Sequence, residues 1–462
     1  MRARAILYRA TARLMAVLVA VMSVAISEAE AAQKRGPALP IIRDAEIEGL
    51  LRLYTKPIFK AAGLNPKAVR VYVLKDRHIN AFVAGGQRIF INTGLIQQAK
   101  TPNEVIGVLA HETGHIAGGH LARMGVEIDS ANYTTIIGML LGLAAIAGGV
   151  AAGNAEVAQA GQGLMIGSQG LAQRNFLTYA RGMESSADQA ALTFLTDTHQ
   201  SARGMITLFE KLASENIAVL ANVDPYVMSH PMPMERIRNL EDEAKKSPYW
   251  NAKDPPALIL RHQLVQAKLT GYIDGPQAVM QKYPSSDQSM PARYARAIAM
   301  FRRGDIRNAL PIIDGLTKDL PENPYFWELK AQALLENGRA AEAAVPVKKA
   351  LELLPSNGLI QILAAQAYID TEQPANAKEA IKLLRQAQRT EGDTAETYRL
   401  LARAYAQTGD IPRAELATAE AALIMGDRKL AMEKAQAAQA AFKTGTPEWT
   451  RASDVMSFAG RD

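Results

Sequence analysis

Two histidines four residues apart, with a glutamate beside the first, are the part of this chain best equipped for chemistry. They are His111, Glu112 and His115 in the segment HETGHIAGGH, residues 111–120. On a helix, a spacing of four sets two side chains about 40° apart around the axis and one turn apart in height. Two imidazoles so placed can hold one zinc ion. Glu112 is too close to His111 to share that ligand geometry, but it can reach a metal-activated water as general base. The flanking VIGVLA and IAGG are apolar, which predicts a buried helix. Buried His and Glu side chains need partners, and a metal supplies them. The alternative, two core histidines and a salt-bridged glutamate, leaves three buried polar groups to be satisfied by protein alone. The 462 residues include no cysteine. Disulfides and thiolate sites are therefore excluded, and any zinc takes His and carboxylate ligands.

A third protein ligand is required. His120 follows His115 by only five residues, about 140° around a continuing helix. That makes it a poor ligand and a better candidate for a hydrogen bond behind the ligands. The segment YARGMESSADQAAL, residues 179–192, offers more. Glu184 and Asp188 are four apart on a predicted helix and share a face. Glu184 can complete a His-His-Glu site that keeps a position open for water. Asp188 can accept a hydrogen bond from a ligand histidine and fix its tautomer. Taken alone, the pair would read as a solvated helix face.

The elements around these residues follow from pattern. Thr101-Pro102-Asn103-Glu104 is a good start for the zinc helix, with Thr101 as cap, proline in the first turn and glutamate three residues after the cap. Upstream, EIEGLLRLYTKPIFKAAGL has apolar residues at helical spacing, and Asn65-Pro66 ends it. VRVYVLKD (69–76) and QRIFIN (87–92) read as strands, with NAFVAGG (80–86) closing on a glycine turn between them. Asn80 to Phe82 and the strand at 87–92 could form an edge that pairs with an extended substrate, or ordinary sheet core. Residues 171–215 and 234–246 read as helical, and the prolines of 247–257 mark a domain boundary.

The ends of the chain are also informative. Arg2, Arg4, Arg9 and Arg13 precede an apolar run at 14–26 and an Ala29-Glu30-Ala31 site. This is the order of a cleavable signal peptide; an uncleaved anchor is the alternative, although 13 residues is short for a span of about 20. Either way the mature chain is expected outside the cytoplasm, in the periplasm if no anchor remains. Residues 134–155 run without a charge but are diluted by glycine and alanine. A buried helical hairpin, a membrane-touching loop and a true span all remain open there. Toward the C-terminus, Gly304 and Gly338 are 34 residues apart, as are Pro321 and Pro355. A 34-residue period of helix, glycine turn, helix and terminal proline is the tetratricopeptide signature, and such arrays stack into a solenoid with a binding face. The next glycine turn, in AQTGDIPRAE (406–415), comes later than the period allows. That reads as an insertion near Glu372-Gln373-Pro374 in one unit. With a weaker unit at 267–284 the expectation is four repeats; a generic alanine-rich bundle is the alternative. Net charge is +6, spread without a dense basic run, so no nucleic-acid partner is expected.

HETGH followed by Glu184-Ser-Ser-Ala-Asp188 resembles the HtpX-like family of zinc peptidases, and the whole arrangement resembles its BepA-type branch. NAFVAGGQRIFINTGLI (80–96) and SHPMPMERI (229–237) extend the likeness. The resemblance implies His111, His115 and Glu184 as ligands of one zinc per chain, Glu112 as base and Asp188 as the acid behind the ligands. It also implies that His230 can approach the metal and occlude the water position. From its own surroundings His230 could instead stabilise an oxyanion or be a loop residue before Pro231; Arg236 could pair with Asp188 or Glu184. The implied function is quality control and assembly of outer-membrane proteins, misfolded or stalled ones being the substrates. The repeats would recruit substrates or assembly machinery, and 134–155 could add a peripheral membrane contact. A chaperone-like binding module whose peptidase is usually off is the competing reading. The expected fold is mostly α: an α+β zincin-like peptidase domain with a small sheet, followed by an α-solenoid. The expected boundaries are a signal peptide at 1–32, a linker at 33–43, the peptidase domain at 44–247, the repeats at 258–445 and a tail at 446–462.

Overall fold

Runs of β-branched and aromatic residues build one small sheet near the start of the chain, and helices supply nearly everything else. The structure, a computed structural model, describes residues 40–120, 170–218, 230 and 233–460. The expected signal peptide, most of the linker and the apolar run at 134–155 lie outside the described residues. Among the described residues, no helix is long and apolar enough to cross a membrane. The chain divides into two compact units, one of residues 1–42, 58–98 and 103–252 and one of 43–57, 99–102 and 253–462.

The first unit holds the sheet, with strands β1 (Ile41–Ile42), β2 (Arg70–Leu74), β3 (Ala81–Ala84) and β4 (Arg88–Asn92) in the order β1-β2-β4-β3. β2 and β4 are parallel, and β3 returns antiparallel to β4. The hairpin between β3 and β4 turns on Gly85 and Gly86, both at positive φ, where a side chain would be strained. Register puts Tyr72 opposite Phe90 and Phe90 opposite Phe82. Their rings stack at 5.3 Å, and such cross-strand aromatic pairs hold a sheet in register. Segment 80–86, expected mainly as a connection, is thus itself a strand at the end of the sheet. Helix α1 (Ala45–Ala61) keeps Pro57 within it; its first residues cluster with the second unit and its last with the first. Among the described residues, five further helices belong to this part: α2 (Thr93–Gln98), α3 (Pro102–Ala117), α4 (Gly170–Asp197), α5 (Arg203–Ala218) and α6 (Met234–Ala244). The stretch read as one helical region at 171–215 breaks between α4 and α5, where His199 takes a left-handed φ of 59°.

The second unit stacks antiparallel helix pairs. α7 (Pro256–Ile273) and α8 (Pro276–Lys282) come first. Then follow α9 (Met290–Arg302) with α10 (Ile306–Asp319), α11 (Pro324–Glu336) with α12 (Ala340–Leu353), and α13 (Gly358–Ile369) with α14 (Pro374–Glu391). α15 (Ala395–Gln407) with α16 (Ile411–Met425) and α17 (Arg428–Ala441) with α18 (Pro447–Ala459) complete the set. Side chains of Asp305, Asn323, Asn357, Thr394 and Asp410 cap helix starts, supplying acceptors for otherwise unpaired N–H groups. The expected insertion near 372 is a complete helix pair instead. Its turn carries Glu372 at φ 57°, 34 residues after Gly338, where the neighbouring turns use Gly304, Gly338 and Gly409. The residues expected as a tail form α18, which buries Ala452, Val455 and Ala459.

Candidate active site

The start of α3 is tied down before it delivers its histidines. Asn103 donates from Nδ2 to the Ser201 carbonyl at 2.7 Å and accepts from the Gly204 amide at 2.8 Å, fixing α3 against the entry to α5. Further along, Gly114 is where α4 comes closest. A Cβ at 114 would lie 2.7 Å from the Ala187 carbonyl oxygen, too near for any side chain. Ala187 sits between Glu184 and Asp188, so this close passage brings both carboxylates to His111.

The donors converge on one point. His111 Nε2 lies 3.1 Å from His115 Nε2 and 3.3 Å from Glu184 Oε2, and His115 Nε2 lies 3.4 Å from Glu184 Oε1. His230 Nδ1 approaches His111 Nε2 at 3.3 Å and both Glu184 oxygens at 3.1 Å. These four ligand atoms all fall within 4.8 Å of one another. Zinc bonds of about 2.0–2.2 Å in a tetrahedron set ligand separations of about 3.3–3.6 Å. The observed separations are close to that, and His230 Nδ1 lies beside the other three. Behind the ligands, His111 Nδ1 is 2.9 Å from Asp188 Oδ1. Arg236 on α6 donates to Asp188 at 2.7 and 2.9 Å and lies 3.1 Å from Glu184. Glu112 is fully buried, and neither carboxylate oxygen completes a hydrogen bond among the described residues. Its near neighbour is His230 Nε2 at 3.4 Å. A buried carboxylate faced by one backbone amide, that of Val83, and otherwise unsatisfied beside a ligand cluster fits a further partner such as a water.

The charges favour a cation. Burial alone would push His111 down, but the hydrogen bond with Asp188, joined by Glu184, holds it up at about 10. Burial and the nearby His111 and His230 drive His115 down to about 2, so its nitrogen offers a lone pair. Burial would raise Glu184 and Asp188. Instead His230 and His111 hold Glu184 far below the usual range, and His111 with Arg236 holds Asp188 low. Glu112 moves up through burial, with His230 and His111 pulling against it. A place that holds a proton so firmly on a buried imidazole favours positive charge in general.

Of the residues singled out from sequence, His111, Glu112, His115, Glu184, Asp188, His230 and Arg236 lie in one cluster. His120 reaches His115 rather than the ligand point, at 3.0 Å between Nδ1 atoms. Sequence reasoning missed Phe209 on α5, whose ring stands edge-on to His111 at 6.0 Å and closes the apolar side. Its only signal was a buried apolar position on a helix. It also missed the Val83 amide on β3, a backbone group that faces Glu112 and that no residue type marks.

The sequence profile of peptidase family M48 matches residues 46–244, which include the whole cluster. Over 419 residues the chain is 24% identical to the beta-barrel assembly-enhancing protease of Yersinia pestis, covering 89% of this chain and 83% of that one. It is 23% identical over 432 residues to the protein of the same name from Escherichia coli (strain K12), covering 91% and 84%. The metalloprotease LoiP of Escherichia coli (strain K12) is 30% identical over 207 residues, covering 44% of this chain and 73% of that protein.

Proposed function

Because the chain belongs to peptidase family M48 and is a metalloendopeptidase, we propose that its metal is zinc, held by His111, His115 and Glu184, and that it cleaves outer-membrane proteins that misfold or stall during assembly. The donor geometry supports this reading best: ligand separations of 3.1–3.4 Å suit one small tetrahedral ion. The substrate class rests on the relatives named for β-barrel assembly. When bound, zinc supplies Lewis acidity toward the scissile carbonyl and acidifies water.

The chain's own residues do the rest. Glu112 takes a proton from the attacking water and passes it to the leaving amine. Asp188 fixes His111 through Nδ1, so that Nε2 keeps its lone pair. Arg236 straddles Asp188 and Glu184 and keeps both carboxylates aimed. β3 ends the sheet, and its outer edge suits an extended peptide added as a further strand. Its Val83 amide, already facing Glu112, lies beside the path such a peptide would take.

His230 Nδ1 lies 3.1–3.3 Å from Glu184 and His111 and would take up the position a water needs were a metal bound there. The resting enzyme is therefore self-inhibited, and His230 moves aside for substrate. The arginine-rich N-terminus followed by an apolar run supports export to the periplasm. The helix pairs from α7 onward are tetratricopeptide-like repeats that recruit substrates or assembly machinery. Along the sequence the peptidase domain is taken as 44–247 with the repeats after it, although 43–57 and 99–102 cluster with the helix pairs.

Cleavage of an unfolded outer-membrane protein by purified full-length chain tests this. Wild type is expected to cleave slowly, and Glu112→Gln to lose about 10²–10⁴-fold of the rate. His230→Ala is expected to cleave faster than wild type. A rate for His230→Ala no higher than wild type would end the self-inhibition reading. Binding by all three with cleavage by none would favour a chaperone-like module.

A further inference from the structure

His120 lies outside the ligand set, yet the chain goes to some length to bring it there. α3 ends at Ala117, and the Gly118 amide makes a last helical bond to the Gly114 carbonyl at 2.8 Å. Gly119 then takes a left-handed φ of 61°, its amide bonding the Ile116 carbonyl at 3.0 Å. This C-terminal turn reverses the chain. The His120 ring folds back over Gly118, so closely that a Cβ on Gly118 would collide with the ring's Nε2 edge. The result is a buried imidazole whose Nδ1 is 3.0 Å from the Nδ1 of His115, the rings meeting at 81°. A continuing helix would have turned His120 away; the helix does not continue.

We propose that His120 is a positioning residue that fixes the tautomer and ring orientation of His115, presenting its Nε2 to the metal. The proposal rests on the ligand set given above. Two Nδ1 atoms at hydrogen-bond distance share one proton between them. His115 Nε2 points toward His111 and Glu184 and must keep its lone pair to ligate. The His115 proton is then on Nδ1, which donates. His120 accepts at Nδ1 and carries its own proton on Nε2. The two ligand histidines are thus backed differently, His111 by the carboxylate of Asp188 and His115 by a neutral imidazole. A neutral acceptor orients the ring without adding another negative charge beside Glu184, Asp188 and Glu112. Partners behind a ligand histidine raise metal affinity in this way in general.

The test uses the full-length chain and two readouts besides activity. These are zinc affinity, by competition with a chromogenic chelator, and the visible spectrum of the cobalt-substituted protein. His120→Leu keeps bulk but removes the acceptor, and should weaken zinc binding about 10–100-fold and shift the cobalt bands. His120→Asn restores an oxygen acceptor near the Nδ1 position and should stay within about threefold of wild type. His120→Leu with wild-type affinity and spectrum would overturn the proposal, as would equal losses in the Leu and Asn variants. If His120→Leu fails to fold by circular dichroism, Gly118→Ala replaces it. Displacing the ring there should reproduce the loss, and unchanged affinity overturns the proposal. A wild-type chain that takes up neither metal would instead remove the ligand set itself.

Discussion

His111 is held on both sides of its ring: Nε2 faces Glu184, and Nδ1 faces Asp188 at 2.9 Å. Asp188→Ala should therefore weaken metal retention about 10–100-fold without removing a ligand, measured by equilibrium dialysis against a chelator. Retention equal to wild type would show that the ring is held without Asp188, with Phe209 packed edge-on against it. At this scale much of the candidate site was legible. Histidines and carboxylates announce their chemistry by residue type, and the two spacings of four put them on common faces. His230 was legible only through resemblance, because nothing in its own neighbourhood distinguishes a metal-facing histidine from a loop histidine. Phe209 and the Val83 amide were not legible at all. An apolar side chain and a backbone N–H look the same in sequence whether or not they line a site.

At the scale of elements, the strands and the helix carrying His111 and His115 followed their patterns, because β-branched runs and capped apolar stretches carry strong local preferences. The repeat at 358–391 did not, and Glu372 is the reason. Its turn needs a left-handed residue, the neighbouring turns meet that need with glycine, and this one uses glutamate. A search for glycine at a 34-residue period therefore passes over it. Left-handed backbone costs a side-chain-bearing residue roughly 1–2 kcal/mol. Allowing for the extra freedom glycine has when unfolded, Glu372→Gly should stabilise the full chain by roughly 0.5–1 kcal/mol. Thermal unfolding would show it as a raised midpoint; a lowered midpoint would mean that the Glu372 side chain itself contributes to the turn.

Across the whole molecule, the least expected feature is a buried charge cluster in the second unit. Lys268 on α7 lies 2.7 Å from Asp44, 3.4 Å from Glu46 and 3.6 Å from Glu328 on α11, and Tyr294 on α9 donates to Glu46 at 2.8 Å. Burial raises Glu328 to about 7, with Lys268 pulling against it and Asp44 and Glu46 adding to it. Its folded value is above its ordinary one, so the folded state binds the proton more tightly. The resulting stability is present below about pH 4.5 and is lost as pH rises through about 7. Glu328→Gln cannot titrate. Its unfolding free energy should gain on that of wild type between pH 5 and 8, by an amount on the order of 1–3 kcal/mol. A gap that stays constant across that range would contradict this. The comparison with the variant also removes the opposing share of His262, which burial lowers to about 4.

That cluster draws two of its three acids, Asp44 and Glu46, from the start of α1, more than two hundred residues before the lysine they neutralise. Residues 43–57 and 99–102 belong with the helix pairs, while 58–98 and 103–252 do not. The sequence suggested a clean joint at 247–257, since composition marks linkers and cannot mark interleaving. In genetic terms the chain is not two cassettes joined in tandem. A recombination at that joint would hand the recipient a Lys268 without Asp44 and Glu46 and a His262 without the Tyr54 hydroxyl 3.0 Å away. A buried charge that loses two of its three acids is destabilising, by up to about 3–5 kcal/mol. Peptidase and repeats are thereby bound to be inherited together.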